Sequence, residues 1–268
     1  MRHHIGLYLA ISFVAAWVTW IACWWFAQQG MSGAALLPIV IAGSFAPFVA
    51  AGIGAARDGG LAGMVGFYRR GLAWRMGWSV LLVSVFGLPL LAIVVAALFE
   101  RAGGLPAFQI GWADLPSVYL WLFVLGGPLA EEFGWSYLSD ALDERFGLHL
   151  ATLLLGAFWA LWHLPLFFLD VPGLSQQFIA FPTFLAVAVS TRFLFSWAYH
   201  RGGGSILSNL LMHNGFNLGF TIVMLVTPVI GAAQPRLWGL VAVSAVSAAL
   251  LWWLMPPDRA GSRALAPA

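Results

Sequence analysis

The stretch "GGPLAEEFGWSYL" (residues 126–138) places two glutamates, Glu131 and Glu132, side by side in an apolar run. The chain has only 10 acidic residues in 268, and hydrophobic residues make up 62% of it against 8% charged. A water-soluble globule of this length could not cover so much apolar side chain, so the composition predicts an integral membrane protein. At membrane depth an ionisable side chain costs about 2.5–3.5 kcal/mol on insertion scales, so the glutamate pair indicates a functional site.

Apolar runs of about 20 residues predict an all-α, polytopic membrane protein with about eight transmembrane helices. The predicted spans are residues 5–27, 34–56, 77–99, 115–138, 149–169, 179–199, 206–228 and 236–255. No linker, charge run or internal repeat divides the sequence. We therefore expect a single transmembrane domain over residues 1–268.

Arginine provides all 12 basic residues, a usage typical of GC-rich bacterial genomes, and its distribution predicts the orientation. With both termini cytoplasmic, the positive-inside rule is satisfied, so we expect a multi-pass protein of the bacterial inner (plasma) membrane. The inner arginines would then be Arg2, Arg57, Arg69, Arg70, Arg75, Arg145, Arg201, Arg259 and Arg263, and the outer ones Arg101 and Arg236. The basic segment 60–76 fits either a helix at the inner interface or a surface loop.

Composition also excludes several classes of protein. The net charge of +2 is small and dispersed, which argues against a nucleic-acid partner. Cys23 is the single cysteine, so neither a disulfide framework nor a cysteine zinc site is expected.

Further polar side chains lie inside three other predicted spans. They are His163 in "FWALWHLPLFF" (158–168), Arg192, and His213, Asn214 and Asn217 in "MHNGFNL" (212–218). His213 and Asn217 are four residues apart, so they share one helix face and can donate hydrogen bonds to one point. We expect Asn214, turned away from that face, to bond another helix.

Two prolines lie beside these polar residues. Pro128 precedes the glutamates and Pro165 follows His163, and each frees a backbone carbonyl. Broken helices are tolerated at membrane depth where protein or water surrounds them. The pattern therefore predicts a polar cavity between the middle of the bilayer and the cytoplasmic side.

These residue types suit peptide-bond hydrolysis. Glu131, beside a second carboxylate and helped by His163, could take a proton from water for attack on an amide carbonyl. His213 and Asn217 could then stabilise the oxyanion of the tetrahedral intermediate. One glutamate and two histidines could instead form an open zinc site, although no H-E-x-x-H helix is present. We favour the mechanism without a cofactor and leave zinc open.

The segments "EEFGWS", "WALWH" and "HNGFN" resemble, in order, the three motifs of the CPBP family, the CAAX-protease and bacteriocin-processing (Abi) intramembrane proteases. The resemblance covers a catalytic core at about residues 115–220 and implies an eight-helix fold. It implies that Glu131 and His163 activate water and that His213 and Asn217 form the oxyanion hole. Glu132 and Trp159 would be supporting residues, Trp159 standing where phenylalanine is commoner.

Ser136 stands where the family has an arginine that could pair with Glu132. One hypothesis is that Arg192, the only arginine in the interior of a predicted span, takes over this pairing. In the alternatives Glu132 is protonated or the site is degraded, which would favour a silent membrane scaffold or an immunity-type protein.

The sequence thus predicts an intramembrane endopeptidase acting on a peptide or membrane protein, which could carry a lipid, with membrane lipids as its surroundings. A small transporter is a third class, but the chain lacks repeated halves with paired broken helices.

Overall fold

The computed structural model describes residues 4–101, 112–225 and 234–256. Within these ranges the chain is helical and has no β-strand, so the predicted all-α class is confirmed. The helices are α1 Ile5–Gln28, α2 Gly33–Ser44, α3 Ala46–Arg69, α4 Trp78–Leu82, α5 Leu88–Arg101, α6 Leu115–Leu125, α7 Pro128–Phe146, α8 Leu148–Trp162, α9 Phe181–Arg201, α10 Ile206–Leu225 and α11 Gln234–Leu254. A π-helical segment, Val83–Gly87, joins α4 to α5.

Among the described residues, five helical segments are long and apolar enough to cross a membrane. They are Ile5–Gln28, Gly33–Leu72, Trp78–Phe99, Phe181–Arg201 and Pro235–Leu254, and α6 and α8 are shorter apolar helices. The chain is therefore a multi-pass membrane protein. The count of eight spans, the single domain and the orientation remain predictions.

The helix boundaries differ from the predicted spans at three places. The run 34–56 is divided at Phe45 between α2 and α3, and α3 continues to Arg69 across a kink at Gly59 and Gly60. The run 115–138 is broken between α6 and α7, and the run 149–169 ends early, at Trp162. The end of the span 206–228, together with Arg2, Arg259 and Arg263, lies outside the described residues.

The segment 60–76 was expected to be a helix at the inner interface or a surface loop. Its Arg70 is half-buried and bonds to other parts of the fold. Its Nη1 donates to Asp140 Oδ2 at 2.6 Å, its Nε and Nη2 donate to the carbonyl of Gly204, and its Nη2 also contacts the Tyr199 hydroxyl. Tyr199 donates in turn to Asp140 Oδ1 at 2.7 Å. Arg70 therefore ties the end of α3 to α7 and to the turn after α9.

Helix α7 is the centre of the fold, in contact with α3, α6, α8 and α10. Thirteen of its 19 residues, among them every one from Ala130 to Ser139, are buried. Small residues allow this close packing: a β-carbon on Gly134 would lie 2.7 Å from the backbone C and O of Pro47 in α3.

Helix α1 is fastened to the end of α8 by two tryptophans. Trp17 Nε1 donates to the carbonyl of Trp162 at 2.9 Å, and Trp162 Nε1 donates to the carbonyl of Ser12 at 3.0 Å. Because indole donors need partners when buried, this exchange satisfies both of them. It also fixes the backbone just before His163.

We expect Gly134→Ala to lower the free energy of unfolding by about 1–3 kcal/mol, because the new methyl group meets the Pro47 backbone. Gly6→Ala, in α1 with nothing within 4 Å of the new methyl group, should be neutral or stabilising by up to about 1 kcal/mol. Thermal unfolding of both variants in detergent checks this. A Gly134→Ala protein as stable as wild type would show that α3 and α7 are not so closely packed.

Candidate active site

The site begins at the break between α6 and α7. Gly127 has φ +112°, a conformation that residues with a β-carbon rarely adopt, and Pro128 starts α7 where its missing N–H costs nothing. Glu131 therefore lies in the first turn of α7, where the helix dipole favours a negative charge. The break that Pro128 predicted is present.

Two indoles hold the carboxylate of Glu131, a residue that is 5% exposed. Its Oε2 accepts a hydrogen bond from Trp159 Nε1 at 2.8 Å and another from Trp135 Nε1 at 3.1 Å. Trp159 was expected in a supporting role, whereas Trp135 was not singled out. Its spacing of four residues from Glu131, on the same helix face, is the signal that could have identified it.

Glu132 is fully buried and carries an ion pair with Arg192, which is also fully buried. Arg192 Nη1 lies 3.0 Å from Oε2 and Nη2 3.2 Å from Oε1, the two-pronged geometry that guanidinium favours with carboxylates. The guanidinium also lies over the rings of Trp159 and Phe195, 4.7 Å and 4.5 Å from their centroids. Arg192 on α9 thus pairs with the carboxylate that lacks a partner on α7.

Ser136, at the position of the family arginine, has a separate contact. Its hydroxyl oxygen accepts a hydrogen bond from Asn209 Nδ2 at 3.2 Å, which links α7 to α10. Asn214 Nδ2 donates to the carbonyl of Tyr119 at 2.9 Å, so this asparagine bonds another helix, as expected.

His213 also contacts the buried Glu132 carboxylate, with His213 Nδ1 lying 2.8 Å from Glu132 Oε1. The other nitrogen, Nε2, lies 3.5 Å from the point that a β-carbon on Gly127 would occupy. Glu131 Oε1 lies 2.5 Å from the same point. The missing side chain of Gly127 therefore leaves a small space that Glu131 and His213 both face.

Asn217 lies beside this space. Its Nδ2 donates to the carbonyl of Gly126 at 2.7 Å, so it joins α10 to the helix break. An amide nitrogen has two hydrogens, and the second remains available as a donor. His213 and Asn217 thus lie along one side of the break, as their spacing predicted.

His163 follows directly after α8 and is 8% exposed. Its Nδ1 lies 2.9 Å from the carbonyl of Trp159. Because a carbonyl only accepts, Nδ1 carries the hydrogen and Nε2 of the neutral ring is the acceptor. The kink expected at Pro165 is a helix end followed by the 3₁₀ turn Leu164–Phe167. Trp159, whose indole binds Glu131, thus also orients His163.

The preference for a mechanism without a metal stays a prediction. Among the described residues, no three His, Cys, Asp or Glu side chains are grouped so as to hold a metal ion. The Nδ1 atoms of His163 and His213 are both engaged with oxygen acceptors.

We expect Arg192→Leu to destabilise the protein by about 3–5 kcal/mol, because it leaves the buried Glu132 charge with His213 alone. Adding Glu132→Gln to Arg192→Leu should recover much of this loss, because the uncompensated charge is removed. Arg69→Leu, at an exposed position, should change stability by less than about 0.5 kcal/mol. Thermal unfolding of the four proteins tests the pair, and a silent Arg192→Leu variant would contradict it.

Comparison with known proteins agrees with these motifs. Residues 113–219 match a family model described as "Type II CAAX prenyl endopeptidase Rce1-like". A curated relative, "CAAX prenyl protease 2" of Methanococcus maripaludis, is 26% identical over 187 residues, which cover 63% of this chain. The chain spans 65% of the length of that relative.

The matched residues contain α6 to α10 almost entirely, and with them all three motifs. The buried cluster of Glu131, Glu132, Arg192 and His213 lies within this region, as do His163 and Asn217. Through residues 113–219, this chain is similar to Rce1-like CAAX prenyl endopeptidases, which supports the resemblance to the CPBP proteases.

Proposed function

We propose that this protein is an intramembrane endopeptidase that hydrolyses peptide bonds of membrane-associated or lipidated substrates. The observation that carries the proposal is the space beside Gly127, which Glu131 Oε1 and His213 Nε2 both face. It is bordered by a carboxylate oxygen and an imidazole nitrogen, 2.5 Å and 3.5 Å from the point that a β-carbon on Gly127 would occupy. The family match to CAAX prenyl endopeptidases supports the same reaction.

In the proposed reaction Glu131 takes a proton from a water molecule, and the water oxygen attacks the carbonyl carbon of the scissile peptide. His163, whose Nε2 can accept a hydrogen bond, assists in orienting the water. The oxyanion receives hydrogen bonds from His213 and from the second hydrogen of Asn217 Nδ2. The intermediate then collapses, the C–N bond breaks, and Glu131 returns the proton to the leaving amine.

The contact between His213 and Glu132 determines which protons His213 needs in order to stabilise an oxyanion. If Nδ1 donates to Glu132, Nε2 can donate to an oxyanion only when the imidazole carries both protons. The charges of Glu131, Glu132, Arg192 and a protonated His213 then sum to zero. Such a balance lowers the cost of holding four charges in a site of low polarity. We therefore propose that Glu132 and Arg192 act through His213.

The Glu132–Arg192 pair also bears on the alternative of a catalytically silent scaffold. That alternative was motivated by Ser136, which removes the arginine expected on α7. Arg192 occupies both oxygens of Glu132 from α9, so the substitution leaves the carboxylate paired. This pairing favours an active enzyme.

An apolar substrate group would find aromatic side chains next to the site. Phe216 lies 5.2 Å from the Trp159 ring, Phe220 lies 5.7 Å from Phe216, and Phe178 lies 6.5 Å from Phe220, centroid to centroid. The curated relative is named for a prenyl substrate. We propose a lipid-modified or membrane-embedded peptide as substrate, cleaved at the cytoplasmic side of the plasma membrane, with both termini of the protein in the cytoplasm and no metal in the reaction.

We expect Glu131→Gln to abolish cleavage of a quenched fluorescent peptide, offered with and without a prenylated cysteine, by the purified protein in detergent. Loss of the water-activating base should lower kcat by at least 10²-fold. Glu144→Gln, an exposed position of the same helix, should cleave like wild type, and wild type should retain its activity with a metal chelator.

Three contrary outcomes are distinct. Full activity of Glu131→Gln would disprove the role of this glutamate, whereas inhibition of wild type by chelator would replace the proposed mechanism with a zinc-dependent one. No cleavage of any peptide by wild type would support the silent scaffold.

We expect Gly127→Ala to reduce activity by at least 10²-fold, because its methyl group would displace Glu131 Oε1 and fill the space at the break. Gly173→Ala is the matched control, because Gly173 also has a positive φ, +79°, but nothing lies within 4 Å of its new methyl group. Cleavage rates measure the loss of activity, and thermal unfolding measures any loss of stability. Equal losses of activity in both variants would mean that backbone strain, and not the filled space, is responsible.

A further inference from the structure

The Glu131 carboxylate is held asymmetrically. Within the described residues both of its side-chain hydrogen bonds, from Trp135 and Trp159, end on Oε2. Oε1 is the oxygen that lies over Gly127. Two donors on one oxygen fix the rotation of the carboxylate, so that the other oxygen is directed at the open space.

The two indoles differ in what else they do. Trp159 lies under the Arg192 guanidinium and orients His163 through its carbonyl, so its removal would disturb several contacts. Trp135 is fully buried, and its ring packs edge-on against Tyr8 and Trp162, with centroids 6.3 Å and 5.8 Å away. Within the described residues, the polar contact of Trp135 is its hydrogen bond to Glu131.

Sequence spacing explains why Trp135 can act in this way. It lies one helical turn after Glu131 on α7, so its side chain points back towards the first turn of the helix. The ring is wedged between α1 and α8 through Tyr8 and Trp162, and its N–H cannot reach water at 0% exposure. A buried indole N–H needs an acceptor, and the carboxylate provides it.

We propose that Trp135 is a positioning residue that holds Oε2 of Glu131 and thereby directs Oε1 at the substrate water. This inference rests on the proposed function. Trp135 touches neither water nor peptide in this role, and it acts only through Glu131. Loss of its N–H should therefore slow the chemical step while substrate binding is unchanged.

The test is Trp135→Phe, which keeps an aromatic ring between α1 and α8 and removes the indole N–H donor. We expect kcat to fall roughly ten- to thirtyfold with KM within twofold of wild type, as for loss of one hydrogen bond to a charged group. The matched control is Trp197→Phe, because Trp197 is equally buried and its Nε1 donates at 2.9 Å to the carbonyl of Met255, which follows α11 and lies outside the site. It should lose stability to a similar extent and keep its kcat.

A second measurement does not depend on catalysis. In ¹H–¹⁵N spectra of the tryptophan-labelled protein in detergent, Glu131→Gln should shift the indole N–H signals of Trp135 and Trp159, because their acceptor loses its charge. The signal of Trp197 should not move. The Trp135 signal is assigned by its absence from Trp135→Phe.

The outcomes separate this inference from the proposed function. A fall in kcat alone, with the indole shifts, supports the positioning role. A normal kcat in Trp135→Phe, an equal loss in Trp197→Phe, or unshifted indole signals overturns it. If Trp135→Phe does not fold, the Glu131→Gln spectrum decides, because fewer than two moving indole signals contradicts the geometry. If wild type cleaves no peptide, the proposed function fails. The indole shifts then still test the hydrogen bond between Trp135 and Glu131.

Discussion

Charges inside a membrane protein need partners, and the rest of this site depends on how Glu132 obtains its own. The carboxylate is fully buried, and Arg192 binds both of its oxygens while His213 contacts Oε1. Without such partners a buried charge of this kind would cost several kcal/mol or would be neutralised. The cluster joins α7, α9 and α10 at one point, so the same contacts that satisfy the charge also fix the relative positions of three helices. Within the described residues, Glu131 is held by two indole hydrogen bonds and not by an ion pair.

The break between α6 and α7 provides what the ion cluster alone could not, namely space. A continuous helix would have filled the region beside Glu131 with side chains and would have satisfied every backbone group internally. Gly127 instead turns the chain with a positive φ, and Asn217 holds the carbonyl of Gly126. The opening is therefore a property of the backbone, stabilised from α10, and the carboxylate and imidazole project into it from helices on two sides.

Much of this arrangement could be predicted from the sequence, because polar groups are rare in an apolar chain. The cost of burial identified Glu131, Glu132, His163, Arg192 and His213, and the family resemblance implied roles for all of them except Arg192. The pairing of Arg192 with Glu132 could only be a hypothesis, since helical spacing carries no information on which helices are neighbours. The partners of Arg70, Asp140 and Gly204, could not be predicted for the same reason, because they are distant from it in the sequence. Trp135 was missed because tryptophan in a membrane protein reads first as an interfacial or lipid-facing residue.

The indole hydrogen bonds of Trp17 and Trp162 make the region around the site dependent on helix α1. Residues 113–219, where the family resemblance lies, contain the site, yet the backbone that leads into His163 is held by Ser12 and Trp17 of α1. The core at residues 113–219 therefore depends on α1 for part of its packing. Transplanted alone into another membrane scaffold, it would expose two buried donor–acceptor pairs to lipid, where no water could replace the lost partners. Helix α1 is thus a structural part of the site, although it lies outside the region of family resemblance.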